Sequence, residues 1–382
     1  MHTPATPEEL AETLHRAASQ GRAIVVQGNA SRALMGGPID DAGEIVSTTA
    51  LRRVREYEPH DLTISVEAGL PWSDLTALLA ENRQMIPLDP PGAVHATVGG
   101  VIASNSSGPR RRLYGTARDL VIGMTFATVE GKLVQSGGMV VKNVAGLDMA
   151  KLMIGSFGTL AAIATVNFKL QPMPESERSF LIAFRGPAEA AAARDRILAS
   201  PLQPAAIDLL NPAAGHTVGN QAWLLAVRAG GNAAAVDRYE RELAGLGDAT
   251  AFEGAMQQTL WGHIADFTPW FLGAHPDGAV VRVSCTLKEL AAVVQSFPGP
   301  AVARAGSGVA YGYFPRAEDA ASWLAGPGRQ TGAAVIEYSP DPWKRSAELW
   351  PRPGGDLELM RRVKALFDPA NRLNRGRLYR RI

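Results

Sequence analysis

The segment HATVGGVIASNSSGPRRRLYG, residues 95–115, restricts the possible folds more than any other part of the sequence. Gly99 and Gly100 lack a Cβ, so the pair predicts that another surface lies against their backbone amides. Thr97 and the serines that follow add short hydrogen-bonding groups, a combination typical of an anion-binding loop. Two ordinary surface turns would have a similar composition. This segment alone therefore leaves a phosphate-bearing cofactor and a plain loop equally open.

Length, charge and cysteine content exclude several classes of protein. A chain of 382 residues exceeds one ordinary hydrophobic core, which predicts at least two domains, and a net charge of +1 gives no reason to expect nucleic-acid binding. The single cysteine, Cys285, excludes an internal disulfide framework, a Cys-ligated zinc site and an iron–sulfur cluster within this chain. The seven histidines include no close pair at metal-ligand spacing, and no apolar run reaches membrane-spanning length. We therefore expect a cytoplasmic protein with no metal site and no integral membrane segment.

The pattern of helices and strands predicts an α+β protein. Thr6, Pro7 and Glu9 predict an N-capped helix start, and the segments AIVVQG and LTISVEAG are typical of short buried strands. Glu130 and Gly131 predict the turn of a β-hairpin within DLVIGMTFATVEGKLVQSGG. After the Pro- and charge-rich stretch QPMPESER, strands alternate with alanine-rich helices at ferredoxin-like spacing. This alternation predicts a second domain with one sheet covered on one face.

Single glycine motifs do not identify a function. The sequence contains no GxxxxGK[ST] phosphate loop and no GxSxG nucleophile elbow. The glycines of GSGVAYG, residues 306–312, are spaced differently from a Rossmann fingerprint, so we interpret that segment as a turn. A functional interpretation therefore depends on several loops taken together.

Taken together, the loops resemble one superfamily. Residues 62–138, which include the glycine pair and the hairpin, and residues 142–175, which begin KNVAGLDMAKLMIGSFGTL, are similar to the PCMH-type FAD-binding domain of the vanillyl-alcohol-oxidase superfamily. The tail FDPANRLNRGRL is similar to the C-terminal segment that returns to the flavin in that superfamily. Within the superfamily, the chain most resembles the GlcE-like family, the smaller flavin subunits of bacterial glycolate oxidase or dehydrogenase.

The resemblance implies a fold and a cofactor. It implies a two-part PCMH-type FAD-binding domain over residues 1–175, an α+β ferredoxin-like cap domain over 176–355, and a C-terminal segment, 356–382, that returns to the first domain. FAD would be bound non-covalently, because the loop QGNASRALMGG contains no histidine and Cys285 lies in the second domain. The cofactor-binding positions that the resemblance implies are Gly28, Asn29, Ala30, Ser31, Thr97, Gly99, Gly100, Asn105, Ser107, Gly108, Tyr114, Gly115, Asn143, Gly146, Ile163 and Asn374.

Several positions depart from the family pattern. Asn29 and Ala30 stand in the first loop, where relatives usually carry more glycine. Leu147 stands where many members have tyrosine, and Arg375 replaces a proline. We expect Asp148 to cap the helix that follows it rather than to contact the cofactor. These departures bear on individual contacts and not on the fold.

The sequence assigns no catalytic residue. Relatives that oxidise 2-hydroxy acids carry a histidine-rich H-x-G-D-G-N-x-H motif in the cap domain, whereas the comparable stretch here, VARAGSGVAYGYF, has no histidine and no acid. Arg304 in that stretch could bind a carboxylate, but an arginine that ends a strand is more often a solvated charge. His95 could serve as a base, but a partly buried structural histidine is the more common case. We therefore expect a chain that binds FAD and is poorly equipped to oxidise a hydroxy acid alone.

The resemblance implies an FAD-binding subunit of a complex that converts glycolate to glyoxylate. A larger flavin subunit would bind the small 2-hydroxy acid, an iron–sulfur subunit would carry the electrons onward, and the complex could hold the chain peripherally at the inner membrane. Two alternatives remain open. The chain could be a stand-alone FAD-dependent oxidoreductase for an alcohol or 2-hydroxy acid, or a non-catalytic assembly subunit that kept the fold. In the stand-alone case, substrate roles would fall to Tyr114, His95, Arg304 or Tyr311.

Overall fold

The structure consists of two compact units. A computed structural model describes residues 1–40, 43–140, 147–331 and 333–382. The first unit comprises Met1–Ser107, Gly115–Met173 and Pro353–Ile382, and the second comprises Gly108–Tyr114 and Pro174–Arg352. The second unit thus includes a short segment from within the predicted first domain. We retain 1–175, 176–355 and 356–382 as the proposed domain boundaries.

Strands and helices alternate along most of the described residues. The strands are β1 Ile24–Gln27, β2 Glu44–Ser47, β3 Val54–Glu58, β4 Thr63–Glu67, β5 Gln84–Met85, β6 Val121–Ala127, β7 Leu133–Gly137, β8 Ala162–Lys169, β9 Gln171–Pro172, β10 Ser176–Phe184, β11 Ala206–Leu210, β12 Trp223–Gly231, β13 Asp248–Phe252, β14 Ala279–Ser284, β15 Ala301–Arg304, β16 Val309–Phe314 and β17 Ala333–Tyr338. The helices are α1 Pro7–Ser19, α2 Trp72–Glu81, α3 Val98–Ala103, α4 Arg111–Tyr114, α5 Ala117–Leu120, α6 Ala150–Met153, α7 Pro187–Ala199, α8 Pro212–Gly215, α9 Ala233–Leu243, α10 Gly254–Ala265, α11 Phe267–Ala274, α12 Leu290–Ser296, α13 Ala317–Ala325, α14 Asp341–Lys344 and α15 Leu357–Phe367. Short 3₁₀ turns lie at Pro59–Asp61, Ala93–His95, His216–Val218 and Pro327–Gln330.

Helix α1 and the parallel pair β1–β2 form the first part of the first unit. The Thr6 hydroxyl accepts a hydrogen bond from the Glu9 amide at 3.1 Å, and Pro7 begins α1, which confirms the predicted helix start. Helical spacing places Leu10 and Leu14 on one buried face. That face packs in a core with residues of β1, β2 and the C-terminal tail, among them Ile24, Val46 and Leu373.

A five-stranded antiparallel sheet forms the second part of the first unit, in the order β3-β4-β8-β6-β7. The residues of the middle strand β8 are buried as far as Phe168. The predicted hairpin is confirmed, because β6 pairs antiparallel with β7 and Gly131 in the turn has a φ of +80°. Helices α2 and α3 contribute Trp72, Val98 and Val101 to the core of this sheet. The first unit therefore has two parts with separate cores, as the predicted two-part domain requires.

A buried lysine holds the C-terminal tail on the first unit. The Lys364 ammonium group donates hydrogen bonds to the Thr159 carbonyl at 2.7 Å and the Leu373 carbonyl at 3.0 Å. It also donates to the Asp368 carboxylate at 2.5 Å. Burial lowers the pKa of Lys364, and the neighbouring Asp368 opposes that shift. Beyond this point the tail pairs with β1, where the Ile24 amide donates to a tail carbonyl at 2.8 Å.

The second unit is built on an eight-stranded antiparallel sheet in the order β13-β10-β12-β11-β15-β16-β14-β17. Helices α7, α9, α12 and α13 contact its strands. One sheet with connecting helices packed on it is an α+β architecture, as predicted. Two directly opposite cross-strand pairs near the middle of the sheet are polar, Asp208 with Arg304 and Arg282 with Tyr311.

Candidate functional site

The first unit contains a cleft at the end of β1. Two adjoining cavities, of about 90 and 70 Å³, share residues of the loop after β1 and of α3. The cleft is lined by residues 25–33, Ile39, Thr48, Thr97, Gly99, Gly100, Ala103, Ser104, Phe157, Gly158, Ala161, Ile163, Asn374 and Arg377.

The loop that follows β1 lines the cleft and contains unused backbone donors. Within the described residues, the backbone amides from Gly28 to Arg32 donate no hydrogen bond. Ala30 has a φ of +53°, a left-handed conformation that helps to turn neighbouring amides toward one side. The Asn29 side chain donates to the His95 carbonyl at 3.1 Å and so fixes the loop beside the segment before α3. Successive amides arranged in this way form an anion-binding concavity.

Gly28 and Thr97 bring the first two predicted loops together. A Cβ at position 28 would overlap the hydroxyl oxygen of Thr97, so glycine allows an approach that a side chain would block. The Thr97 hydroxyl also accepts a hydrogen bond from the Gly100 amide at 3.3 Å and caps α3. Residues 28–31, Thr97 and the glycine pair, which the sequence predicts as one site, therefore do meet in the fold.

The amides of the glycine pair are not available to a ligand. The Gly99 amide donates to the Ala68 carbonyl at 2.7 Å, and the Gly100 amide donates to Thr97. Neither glycine has a positive φ. A Cβ at position 99 would lie 2.9 Å from the Ala68 Cβ, so Gly99 allows α3 to pack closely on the chain that follows β4. The surface that lies against Gly99 is thus the protein's own, and the roles of Gly99 and Gly100 as cofactor contacts stay predictions. The unused amides lie in the loop after β1.

A chain of hydroxyl groups leads from α3 to Arg32. The Ser104 hydroxyl donates to the Gly100 carbonyl at 2.7 Å and lies 2.7 Å from the Ser106 hydroxyl. The Nε atom of Arg32 donates to the Ser106 hydroxyl at 3.2 Å. The Nη2 atom of Arg32 is shielded from solvent and donates to no described residue. The protein therefore orients this guanidinium group without neutralising it.

Asn374 connects the C-terminal tail with the cleft through its side-chain amide. Its Oδ1 atom accepts from the Val26 amide at 2.7 Å, and its Nδ2 atom donates to the carbonyls of Val26 at 3.1 Å and Phe157 at 2.6 Å. Gly158 has a φ of +70°, and a Cβ there would lie 2.6 Å from Nδ2 of Asn374. Asn374 lines the cleft, yet its amide is engaged with backbone groups, so we assign it a positioning role. Arg375 pairs with Asp40.

Replacing Asn374 by alanine is expected to lower the free energy of unfolding by about 2 kcal/mol, because three backbone hydrogen bonds are lost. It should also weaken FAD binding, since β1 and residue 157 would no longer be held to the tail. Thermal unfolding followed by circular dichroism, together with FAD titration, checks both effects. Gln20→Ala, which replaces an exposed side-chain amide at the C-terminal end of α1, is the matched control and should change neither quantity measurably.

Arg377 is the second cation of the cleft, and no sequence motif indicates it. Its guanidinium donates to the carbonyls of Arg32 at 3.1 Å and Ala33 at 3.3 Å and lies 5.9 Å from the centre of the Phe157 ring. Phe157 also lines the cleft and was not among the predicted positions. Arg32 was not predicted either, although it is a positively charged residue directly after the predicted positions 28–31 of the first loop. None of the described cleft residues is Asp or Glu. The lining therefore carries positive charge beside an aromatic ring.

The remaining predicted positions of the first unit are less closely grouped. Ile163 on β8 lines the cleft. Asn105, with a φ of +49°, and Ser107 follow α3 without lining either cavity. Gly115 has a φ of +80° and approaches the Asp119 side chain so closely that a Cβ would overlap it. For Gly115, the structure thus supplies a backbone reason for glycine.

Four predicted positions lie outside the first unit or outside the described residues. Gly108 and Tyr114 belong to the short segment that groups with the second unit. Asn143 and Gly146 lie outside the described residues. Their roles as cofactor contacts stay predictions.

Arg304 is buried, so the prediction of a solvated charge is wrong. Its side chain is 5% exposed and forms an ion pair with the fully buried carboxylate of Asp208, its direct cross-strand neighbour. The guanidinium also lies 5.6 Å from the centre of the Tyr311 ring. Burial opposes the charge, but Asp208 together with Tyr311 and Tyr313 outweighs it and raises the pKa of Arg304.

A second ion pair extends this polar cluster in the second unit. The Nε atom of Arg282 lies 2.8 Å from the Glu337 carboxylate, and Arg282 faces Tyr311 across the sheet. Burial lowers the pKa of Arg111, and the neighbouring titratable groups that act on it include Tyr311 and Arg282. Burial also raises the pKa of Tyr311. The stretch VARAGSGVAYGYF thus contributes Arg304 and Tyr311 to a cluster whose charges are largely paired within the unit.

Two other local predictions are wrong, and the single cysteine is unreactive. His95 is exposed rather than partly buried, because it ends a surface 3₁₀ turn. Asp148 does not cap a helix, since α6 begins two residues later behind Met149, and its carboxylate lies 3.9 Å from the Lys151 ammonium group. Burial raises the pKa of the half-buried Cys285 thiol to about 11, which keeps it protonated.

Two family models match the chain. The model described as FAD binding domain matches residues 1–137, and the model described as FAD linked oxidases, C-terminal domain, matches residues 350–378. The first match contains the loop after β1 and α3, and the second contains Asn374 and Arg377. Most of the cleft lining therefore falls within residues matched to FAD-binding families.

Three curated relatives show the same relationship. The chain is 36% identical over 173 residues to the glycolate oxidase subunit GlcE of Escherichia coli (strain K12), covering 45% of this chain and 49% of the relative. It is 28% identical over 208 residues to the glycolate oxidase subunit GlcD of Bacillus subtilis (strain 168), a match that covers 54% of this chain and 44% of the relative. It is 30% identical over 207 residues to the D-lactate dehydrogenase of Anaerostipes hadrus, a match that covers 54% of this chain and 43% of the relative. The chain thus matches less than half the length of each.

A solved structure extends the likeness in fold to nearly the whole chain. An alkyldihydroxyacetonephosphate synthase matches with a TM-score of 0.73 and 18% identity, covering 97% of this chain and 75% of that one. Together with the matched FAD-binding model, this likeness confirms the predicted PCMH-type fold with an α+β second domain. In the described ranges, no helix has both the length and the apolar character needed to cross a bilayer. The same ranges contain no group of three or more His, Cys, Asp or Glu side chains placed to hold a metal ion.

Proposed function

Since the chain belongs to the FAD-linked oxidoreductases with a PCMH-type FAD-binding domain, we propose that it is the FAD-binding subunit of a glycolate oxidase or dehydrogenase complex. In that complex, which converts glycolate to glyoxylate, a larger flavin subunit binds the glycolate and an iron–sulfur subunit carries the electrons onward. Similarity to GlcE and GlcD subunits supports this proposal. We place the subunit in the cytoplasm, with its complex at the inner membrane.

The observation that carries the proposal is the set of unused donors in the cleft. FAD contains a diphosphate, which needs hydrogen-bond donors and positive charge. The amides from Gly28 to Arg32 and the Arg32 guanidinium supply both, and no described cleft residue is a carboxylate that would repel the diphosphate. Phe157 and Ile163 offer apolar contacts for ring systems. The residues present therefore fit the cofactor.

The chain's own residues would bind and orient the cofactor, while the bound flavin supplies a hydride acceptor. The loop amides from Gly28 to Arg32 would hold the diphosphate. Thr97 would keep this loop against α3, and Asn374 would keep β1 and residue 157 in place. Binding would be non-covalent, because none of the described cleft residues is His, Cys or Tyr, the side chains that could tether a flavin.

The polar cluster of the second unit favours substrate oxidation by a partner rather than by this chain. Oxidation of a 2-hydroxy acid needs a cation for the carboxylate and a base for the hydroxyl proton. The Arg304 guanidinium is paired with Asp208, and Arg282 with Glu337. Charges that are already paired bind a substrate carboxylate poorly, because its binding would have to displace an internal partner.

The full-length chain purified alone is expected to contain FAD and to be reduced by glycolate only slowly. A missing general base typically costs 10²–10⁴-fold in rate, so we expect flavin bleaching about 100-fold slower or more than in the assembled complex. Anaerobic absorbance spectra with glycolate, recorded with and without the partner subunits, measure this difference. Denaturation in acid or detergent should release the flavin, which distinguishes non-covalent from covalent attachment.

Two outcomes would contradict the proposal. Rapid bleaching of the isolated chain by glycolate or another hydroxy acid would favour a stand-alone oxidoreductase. Freshly purified protein that is colourless and takes up no added FAD would favour a non-catalytic assembly subunit.

A further inference from the structure

We propose that Arg32 binds the diphosphate of the dinucleotide and provides much of the affinity of the cleft for FAD. This inference rests on the proposed FAD binding and assigns a role to a residue outside the cofactor positions implied by the family resemblance. The group concerned is the Arg32 guanidinium, in the loop after β1.

The hydrogen bonding of Arg32 is incomplete in a way that an anion would complete. Its Nε atom is held by the Ser106 hydroxyl at 3.2 Å, and Ser106 is held in turn by Ser104 at 2.7 Å. The Nη2 atom has neither solvent nor a described acceptor. A buried donor without an acceptor is costly to leave unsatisfied, and a charged acceptor forms the strongest hydrogen bonds with a guanidinium group. Arg32 is one of the residues that line the cleft.

No ion pair compensates the charge of Arg32 within the described residues. The guanidinium of Arg377, which donates to the backbone carbonyls of Arg32 and Ala33, belongs to the same lining. The described lining residues include both guanidinium groups and no Asp or Glu, which favours the binding of an anion. A planar guanidinium is suited to phosphate oxygens because it can present two parallel N–H groups.

The test compares Arg32→Met with the wild-type full-length chain, using ligands that differ in their phosphates. Removing a hydrogen bond to a charged group should raise the Kd for FAD about 10- to 100-fold, measured by flavin fluorescence after removal of the bound cofactor. ADP should compete with FAD for the wild-type chain and much less for the variant. Riboflavin, which has no phosphate, should bind both equally. The Kd of the wild type for FAD should also increase more with salt than that of the variant.

Two further variants separate charge from fold. Arg32→Lys keeps the charge without the planar group and should give an intermediate Kd. Arg16→Met, an exposed arginine on α1, is the matched control and should leave the Kd unchanged. An unfolding midpoint of the cofactor-free Arg32→Met variant near that of the wild type would show that the fold is retained. If Arg32→Met misfolds, Arg32→Gln, which removes the charge and keeps an amide donor, takes its place. A wild-type Kd for Arg32→Gln, with unchanged salt dependence, would overturn the inference.

The failure of this inference differs from the failure of the proposed function. A wild-type chain that binds FAD tightly, with Arg32→Met binding it equally well, would overturn the role of Arg32 and leave FAD binding intact. Equal losses of riboflavin and FAD binding in the variant would also overturn it, because they would show a structural role. A wild-type chain that binds no FAD would overturn both.

Discussion

Replacing Asp208 by asparagine is expected to lower the free energy of unfolding of the second unit by about 3–5 kcal/mol, because removing one partner of a buried ion pair leaves the other charge unpaired. Arg304 is that other charge, and its side chain is 5% exposed. Water cannot replace the lost carboxylate, and the Tyr311 ring, 5.6 Å from the guanidinium, compensates only weakly.

Tryptophan fluorescence during urea unfolding measures this loss of stability in the second unit. Of the seven tryptophans, only Trp72 lies in the first unit, so the signal reports mainly on the second. Asp319→Asn is the matched control, because Asp319 also pairs with an arginine in this unit but at an exposed site. Exposed pairs contribute about 0–1 kcal/mol, so the control should unfold almost as the wild type does.

A double replacement distinguishes the loss of pairing from the loss of the carboxylate itself. Asp208→Leu combined with Arg304→Met removes both charges and keeps apolar volume, and such exchanges are often neutral. We expect the double variant to recover most of the stability lost by Asp208→Asn. A single variant as stable as the Asp319→Asn control, or a double variant less stable than the single one, would contradict the buried ion pair.

This buried pair illustrates what the sequence could not reveal. Arg304 ends a strand, and its neighbour in sequence is no guide to its environment, because Asp208 lies 96 positions away on β11. Only the strand order of the sheet, which places β11 beside β15, brings the two together. Local patterns predict the start of α1 and the β6–β7 hairpin correctly, since capping and turn preferences act over a few residues. Pairings between distant strands have no such local signal.

The cleft shows the same division between local and long-range information. The loop after β1 and the Thr97–Gly100 segment could be identified because glycine and hydroxyl residues are conspicuous in the sequence. The role of each residue within these segments could not be identified in this way. The Gly99 amide donates to the chain that follows β4, and the Gly100 amide donates to the Thr97 hydroxyl that caps α3. The side-chain amide of Asn374 reaches groups 348 and 217 positions away, which no pattern in the tail indicates. A sequence thus points to the loops of a site more easily than to the atoms that act in it.

Replacing Gly28 by alanine is expected to weaken FAD binding on the order of 100-fold and to destabilise the first unit by about 1–3 kcal/mol. The new Cβ would overlap the Thr97 hydroxyl oxygen. Thr97 cannot give way easily, because its side chain is 4% exposed and its hydroxyl caps α3. The loop after β1 would have to move instead, and its unused amides would lose their common orientation. FAD titration by fluorescence and thermal unfolding of the cofactor-free chain measure the two effects.

A second substitution tests whether this single overlap is the cause. Thr97→Ala removes the obstructing hydroxyl at the cost of a helix cap, which is worth about 1 kcal/mol. If the overlap causes the loss, Gly28→Ala combined with Thr97→Ala should bind FAD more tightly than Gly28→Ala alone, so that the two effects are not additive. Gly355→Ala, a glycine of the first unit with open space around it, is the matched control. Additive losses in the double variant, or a Gly28→Ala chain that binds FAD as the control does, would show that the contact between these two loops does not shape the cofactor site.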